Sequence, residues 1–177
     1  STLLIVIDNL RLDQWKTISP IVEDYYSIDK DECYFSILPT STQYSRNSIF
    51  SGMTANQMSM NHPEWWKNDD EEGGKNLHEN DFLKFQLNNL NNNLSFNYNK
   101  ITSLSYAKKY IQNLHNIKSN SLNVLVYNFV DMISHSKMEM EIIKELASDN
   151  KAYRSLTQSW FKNSPLMNII KMARDLD

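Results

Sequence analysis

Three short stretches of this 177-residue chain carry the residue types and spacings that could do chemistry. In "ILPTSTQYSRNSIFSG" (37–52) an apolar run gives way to Thr40, Ser41 and Thr42, then Gln43, Tyr44 and Arg46, and closes on Gly52. A Thr42 hydroxyl at a helix N-terminus would lie among free backbone N–H groups at the positive end of the helix dipole, a good place for a phosphate. An alcohol attacks phosphorus only once deprotonated, which coordination to a metal achieves at neutral pH. Asp8, at the end of "TLLIVID", and Asp131, in "VDMISHS", are candidate ligands, and His135 follows Asp131 at a spacing of four. A carboxylate and an imidazole leaving one strand end could converge on a divalent ion, with Zn²⁺ the obvious choice for mixed oxygen and nitrogen donors. Arg46, one helical turn beyond Thr42, could offer a bidentate guanidinium to phosphate oxygens. The plainer alternatives stand beside these: helix caps for the Asp residues, a surface His135 and a solvated Arg46.

These residues need elements to hold them. The continuous runs at 2–8 and 123–131 read as strands covered on both faces, the pattern of parallel sheets. "ECYFSIL" (32–38) reads as a further strand and "FNYNKI" as another. Helical spacing follows each: "DQWKTISPIVEDYYSI", interrupted by Pro20; "TQYSRNSIFS", with Ser41 or Thr42 as N-cap and Gly52 as its stop; 78–90; 103–115, capped by Ser103; and segments around 137–147, 151–161 and 165–176. Residues 53–80 lose periodicity and read as a surface excursion, with Trp65 and Trp66 anchoring it on the core. Strand–helix alternation predicts an α/β fold, a mostly parallel sheet flanked by helices, over one undivided domain, 1–177. Ligands of such sheets lie beyond the carboxyl ends of the strands. Asp8, the Thr40/Thr42 turn and Asp131 are all expected at that one edge.

Composition narrows the class. Hydrophobic residues make up 41% and charged residues 22% of the chain, the balance of an ordinary globular protein. A net charge of −3 gives no overall basic field for nucleic acid. The single Cys33 excludes an internal disulfide and fits a reducing compartment, so the cytoplasm is the expected address. No apolar run is long enough to span a bilayer. Only three glycines occur, without a glycine-rich phosphate loop, which argues against a plain nucleotide-binding module. The start at Ser1, directly before a strand, suggests a piece of a longer or processed protein.

"LLIVIDNLRLDQW", "ILPTSTQYSRNSIFSG" and "VYNFVDMISHSKMEM", followed by "ELASDNKAYRSLTQSWFKNSPL", closely resemble the PglZ domain of the alkaline phosphatase superfamily. The likeness is nearest to the effector domain of PorX-type response regulators linked to type IX secretion. It implies an alkaline-phosphatase-like sheet, two zinc ions, and a Ser or Thr nucleophile that forms a covalent phospho-enzyme. Carried over, Asp8 and Thr42 are ligands of one zinc, and Asp131 and His135 of the other. Thr42 is the nucleophile, with Thr40 as fallback. The implied activity is zinc-dependent hydrolysis of a phosphodiester, such as a nucleotide or oligonucleotide, under control of an upstream receiver domain. The alternative is a non-enzymatic signalling scaffold. The superfamily completes its site with an Asp-His pair and a distant His, which this sequence lacks; His62, His78 and His115 stand in other contexts. The resemblance therefore implies a domain truncated on its C-terminal side, with zinc binding and hydrolysis weak or absent in this chain alone. An exposed sheet edge would then invite a homodimer.

Overall fold

The computed structural model describes residues 1–68, 70–90, 94–128, 130, 145 and 148–176. Along the chain these form β1 (Thr2–Ile7), α1 (Leu12–Glu23), α2 (Thr42–Ser51), α3 (Ala55–Asn61), α4 (Glu79–Asn89), β2 (Phe96–Ile101), α5 (Leu104–Gln112), a 3₁₀ helix (Leu114–Ser119), β3 (Leu122–Tyr127), α6 (Asn150–Asn163) and α7 (Pro165–Leu176). They pack as two compact units, one of Ser1–Cys33 with Ser95–Asp177, the other of Tyr34–Leu94.

The first unit is built on a parallel sheet of order β1-β3-β2. The register is flush: Thr2 and Phe96 both pair with Leu122, and Ile7 and Ile101 both pair with Tyr127. All three described strands therefore end level at one carboxyl edge. β3 is central, and Val124, Leu125 and Val126 are fully buried, which is why the run from Val124 to Tyr127 is apolar without alternation. Leu125 and Tyr127 join one core with Ile18 of α1, Ile101, Phe161 and Ile169. α1 packs along α6, and α5 against α7. Where α1 meets α6 the contact is polar: Gln14, wholly buried, donates to the Thr157 hydroxyl at 2.9 Å. Ser103 caps α5 by accepting from the Tyr106 N–H, and Ser164 caps α7 by accepting from that of Met167, with Pro165 at the first helical position.

The second unit is small and helical, with Phe50, Met58, Trp66, Phe82, Leu83 and Leu87 buried. Gly52 ends α2 at a φ of 66°, the left-handed conformation that glycine adopts without cost. Thr54 and Gln57 form a capping box at the start of α3.

Three expectations about the elements are corrected. Residues 32–38 form no strand: Tyr34 is 78% and Phe35 101% exposed, so the segment has neither the pairing nor the buried face that stabilises a strand. The Thr40/Thr42 turn thus does not follow a strand end. α1 runs through Pro20 to Glu23; the proline lies on the exposed side, while Ile18 and Ser19 beside it are buried and hold the helix in place. The excursion at 53–80 contains α3. The tryptophan reading holds: Trp66 packs on Tyr44 with ring centroids 5.6 Å apart, and Trp65 stacks on His62 at 4.4 Å and meets Phe82 edge-on. No helix among the described residues is long and apolar enough to cross a membrane.

Candidate active site

Asp8 follows β1 directly. Its N–H donates to the carbonyl of Tyr127 at 2.9 Å, extending the β1–β3 ladder by one bond, and its side chain is half-buried. Asn9 then takes a φ of 59°, a left-handed turn that Asn tolerates better than most residues, and the chain swings into α1. Asp8 therefore stands at the carboxyl edge of the sheet beside the exit of β3, as expected of the first strand end. Asp131 and His135 lie outside the described residues, as do all but residue 145 of the predicted helix at 137–147 and most of the chain joining β3 to α6.

Thr42 is the first residue of α2, with Ser41 as N-cap in extended conformation. The Ser41 side chain makes no capping bond, and Thr42 is half-buried, while Thr40 is exposed. The remaining motif residues turn away from this end. Gln43, Arg46 and Asn47 are 5%, 3% and 1% exposed, so the face of α2 that continues to buried Phe50 begins with three polar residues. Each has a partner on the segment 67–79. Gln43 donates to the carbonyl of Lys67. Asn47 donates to that of Lys75 at 3.2 Å and accepts from Asn76 at 3.1 Å. Asn76 also donates to the Thr42 carbonyl at 3.1 Å.

Arg46, expected to offer its guanidinium to a phosphate, pairs with Glu79 in a contact buried on both sides. Glu79 is the first residue of α4, so the positive end of that helix dipole also favours its carboxylate. A charged pair with so little water survives because each partner compensates the other's lost hydration. The polar composition of "TQYSRN" is therefore largely structural: it fastens α2 to α4 and to the segment before it. Sequence reading missed Asn76 and Glu79 as partners of this helix. The signal that could have found them is the i, i+3, i+4, i+7 spacing of Gln43, Arg46, Asn47 and Phe50.

Of the histidines outside the motif, His115 is exposed, and the other two have local contacts. His62 lies among Trp65, Phe82 and Phe85, and His78 contacts Asp81 at 2.8 Å in the first turn of α4. Among the described residues no three of His, Cys, Asp and Glu come together in a way that could hold a metal, and Asp8 is the only one of the three ionisable candidate ligands that is described. As a donor set, two carboxylates, an imidazole and a hydroxyl suit a borderline divalent ion.

A comparison with curated proteins gave no match. The sequence profile of the BREX system PglZ alkaline phosphatase-like domain matches residues 1–174. With the parallel sheet and flanking helices already in place, this chain belongs to the PglZ family, an alkaline-phosphatase-like domain of hydrolase type.

Proposed function

We propose that the chain is a metal-dependent phosphoric ester hydrolase domain acting on a phosphodiester, with Thr42 as its nucleophile. The observation that carries this reading is the place of Thr42: a half-buried threonine in the first turn of α2, on a chain whose family is alkaline-phosphatase-like. The Thr42 oxygen would form a bond to phosphorus in line with the leaving alcohol, which departs with its electron pair and takes a proton from water. The hydroxyl proton passes to solvent, and water then cleaves the threonyl ester. The N–H groups that open α2 would face the charge on the phosphoryl oxygens. Asp8, Thr42, Asp131 and His135 would hold the metal, Zn²⁺ in this reading and two ions in a complete site. Bound there, such an ion lowers the pKa of a coordinated hydroxyl and neutralises phosphoryl charge. Thr40 is the alternative nucleophile. Arg46 enters as the residue that holds α2 on α4, because its guanidinium is already engaged by Glu79.

The finer reading is an effector domain of a PorX-type response regulator linked to type IX secretion. It would work in the cytoplasm under an upstream receiver domain and form a homodimer through an exposed sheet edge. It rests on the likeness of the quoted motifs.

The test uses bis-p-nitrophenyl phosphate and the protein as its host makes it. Turnover should require Zn²⁺, stop in EDTA, and be abolished by Thr42→Val with the fold intact. Hydrolysis that persists in excess chelator would sink the metal-dependent reading. A wild-type protein without turnover, folded and metal-free, would instead point to the signalling scaffold.

A further inference from the structure

We propose that Asn76 is a positioning residue for Thr42, a role that rests on Thr42 being the nucleophile. Its side-chain amide carries two hydrogens, and both are used: one on the Thr42 carbonyl, the other on the Asn47 side chain, each at 3.1 Å. Asn47, 1% exposed, returns a bond of 3.2 Å to the carbonyl of Lys75, the residue before Asn76. The result is a closed clasp in which residues 75 and 76 grip α2 at Thr42 and again five residues on. The amide orientations support one another, since the Asn47 oxygen faces a donor and its nitrogen faces an acceptor.

Two outer anchors bracket the clasp, Gln43 on Lys67 and Arg46 on Glu79. These hold α2 as a body. Asn76 differs from both because it bonds to the backbone of the nucleophile itself. The Thr42 carbonyl has two lone pairs, one directed to the helical N–H four residues on and one left for Asn76. A residue at the first helical position otherwise frays, because the N–H groups of the first turn have no partner within the helix. Gripping its carbonyl from outside fixes the peptide plane, and with it the direction of the Cα–Cβ bond that carries the hydroxyl.

Losing the two neutral bonds, one of them to the buried Asn47 oxygen, lowers global stability only moderately, because only one buried acceptor loses its donor. Misplacing a reacting group by about 1 Å can cost about a hundredfold in rate. Removing these bonds should therefore damage turnover far more than folding. Asn76→Ala deletes the donors. Asn76→Asp keeps the shape but sets a carboxylate against two acceptor oxygens.

Steady-state kinetics on bis-p-nitrophenyl phosphate with Zn²⁺, alongside thermal unfolding, test the proposal. Both variants should lower kcat about 10- to 100-fold, keep KM within about threefold, and remain folded at the assay temperature even where their unfolding midpoints fall. Should Asn76→Ala fail to fold, Asn76→Asp gives the same readout. If Thr42→Val is inactive yet both Asn76 variants keep kcat within about twofold, the positioning role is overturned and the nucleophile stands. Loss of kcat only in step with loss of folded protein also overturns it, since that is a structural role. No wild-type turnover, or a Thr42→Val variant as active as wild type, overturns the nucleophile assignment itself.

Discussion

The two compact units are held together by different means. In the unit formed by Ser1–Cys33 and Ser95–Asp177, aliphatic and aromatic side chains of all three described strands meet those of α1, α6 and α7, and the buried Gln14–Thr157 pair joins one helix to another. In Tyr34–Leu94 the helix that carries Thr42 has a polar inner face over its first half, and every partner is a directed bond or an ion pair. An apolar contact tolerates small shifts because dispersion and burial are not directional. Hydrogen bonds weaken steeply with angle, so a polar interface specifies orientation. Under the proposed function this difference would be a division of labour: the sheet would supply stability and a strand end for Asp8, and the α2 clasp the aim of the Thr42 hydroxyl.

The sharpest way to break that contrast is to remove one charge. Glu79→Ala removes the carboxylate that faces the buried Arg46 guanidinium and should cost about 3–5 kcal/mol in urea unfolding. Replacing both partners, Arg46→Met with Glu79→Leu, should recover most of that loss. A cost below about 1 kcal/mol for the single change would show the pair to be solvated and the contrast empty. A smaller effect is expected in the apolar unit. Ile101→Val, at a residue 2% exposed, removes one methyl group and should cost about 1 kcal/mol. A cost as large as that of Glu79→Ala would mean the sheet core is as exacting as the clasp.

The smallest effect concerns a surface network of the first unit. Asp13 accepts from Arg11 at 2.8 Å and from Arg154 at 3.1 Å. Chiefly through the Arg11 hydrogen bond, its carboxyl is held at about 2, against an ordinary value of 3.8. A carboxyl depressed in the folded state contributes stability that is fully present above pH 4 and is lost as pH falls through 2. Wild type should lose more stability between pH 4 and pH 2 than Asp13→Asn, as read from unfolding midpoints. Parallel pH profiles would show that the network couples weakly to folding.

What could be read from the sequence was what short-range physics controls. β1, β2, β3, α4, α5, α6 and α7 follow from apolar patterning, and the bounds of α2, with Ser41 at the N-cap position and the stop at Gly52, and the caps at Ser103 and Ser164 from local backbone chemistry. These signals act within one or two turns of chain, so neighbouring residues suffice to decide them. The end of β1 at Asp8 and the first turn of α2 at Thr42 were legible on the same ground. Other outcomes depended on distant partners. "ECYFSIL" has strand-forming residues, yet whether a strand forms is decided by a neighbouring edge to pair with, and none is used by 32–38 among the described residues. Arg46 is identical in sequence terms whether it meets phosphate or Glu79. Only folding brings a carboxylate from 33 residues away to its guanidinium. The helical period of Gln43, Arg46 and Asn47 defined a face, but a polar face ordinarily turns to water. Tertiary structure turned this one inward, because the segment 67–79 supplies a matching carbonyl, amide or carboxylate for each of these three side chains.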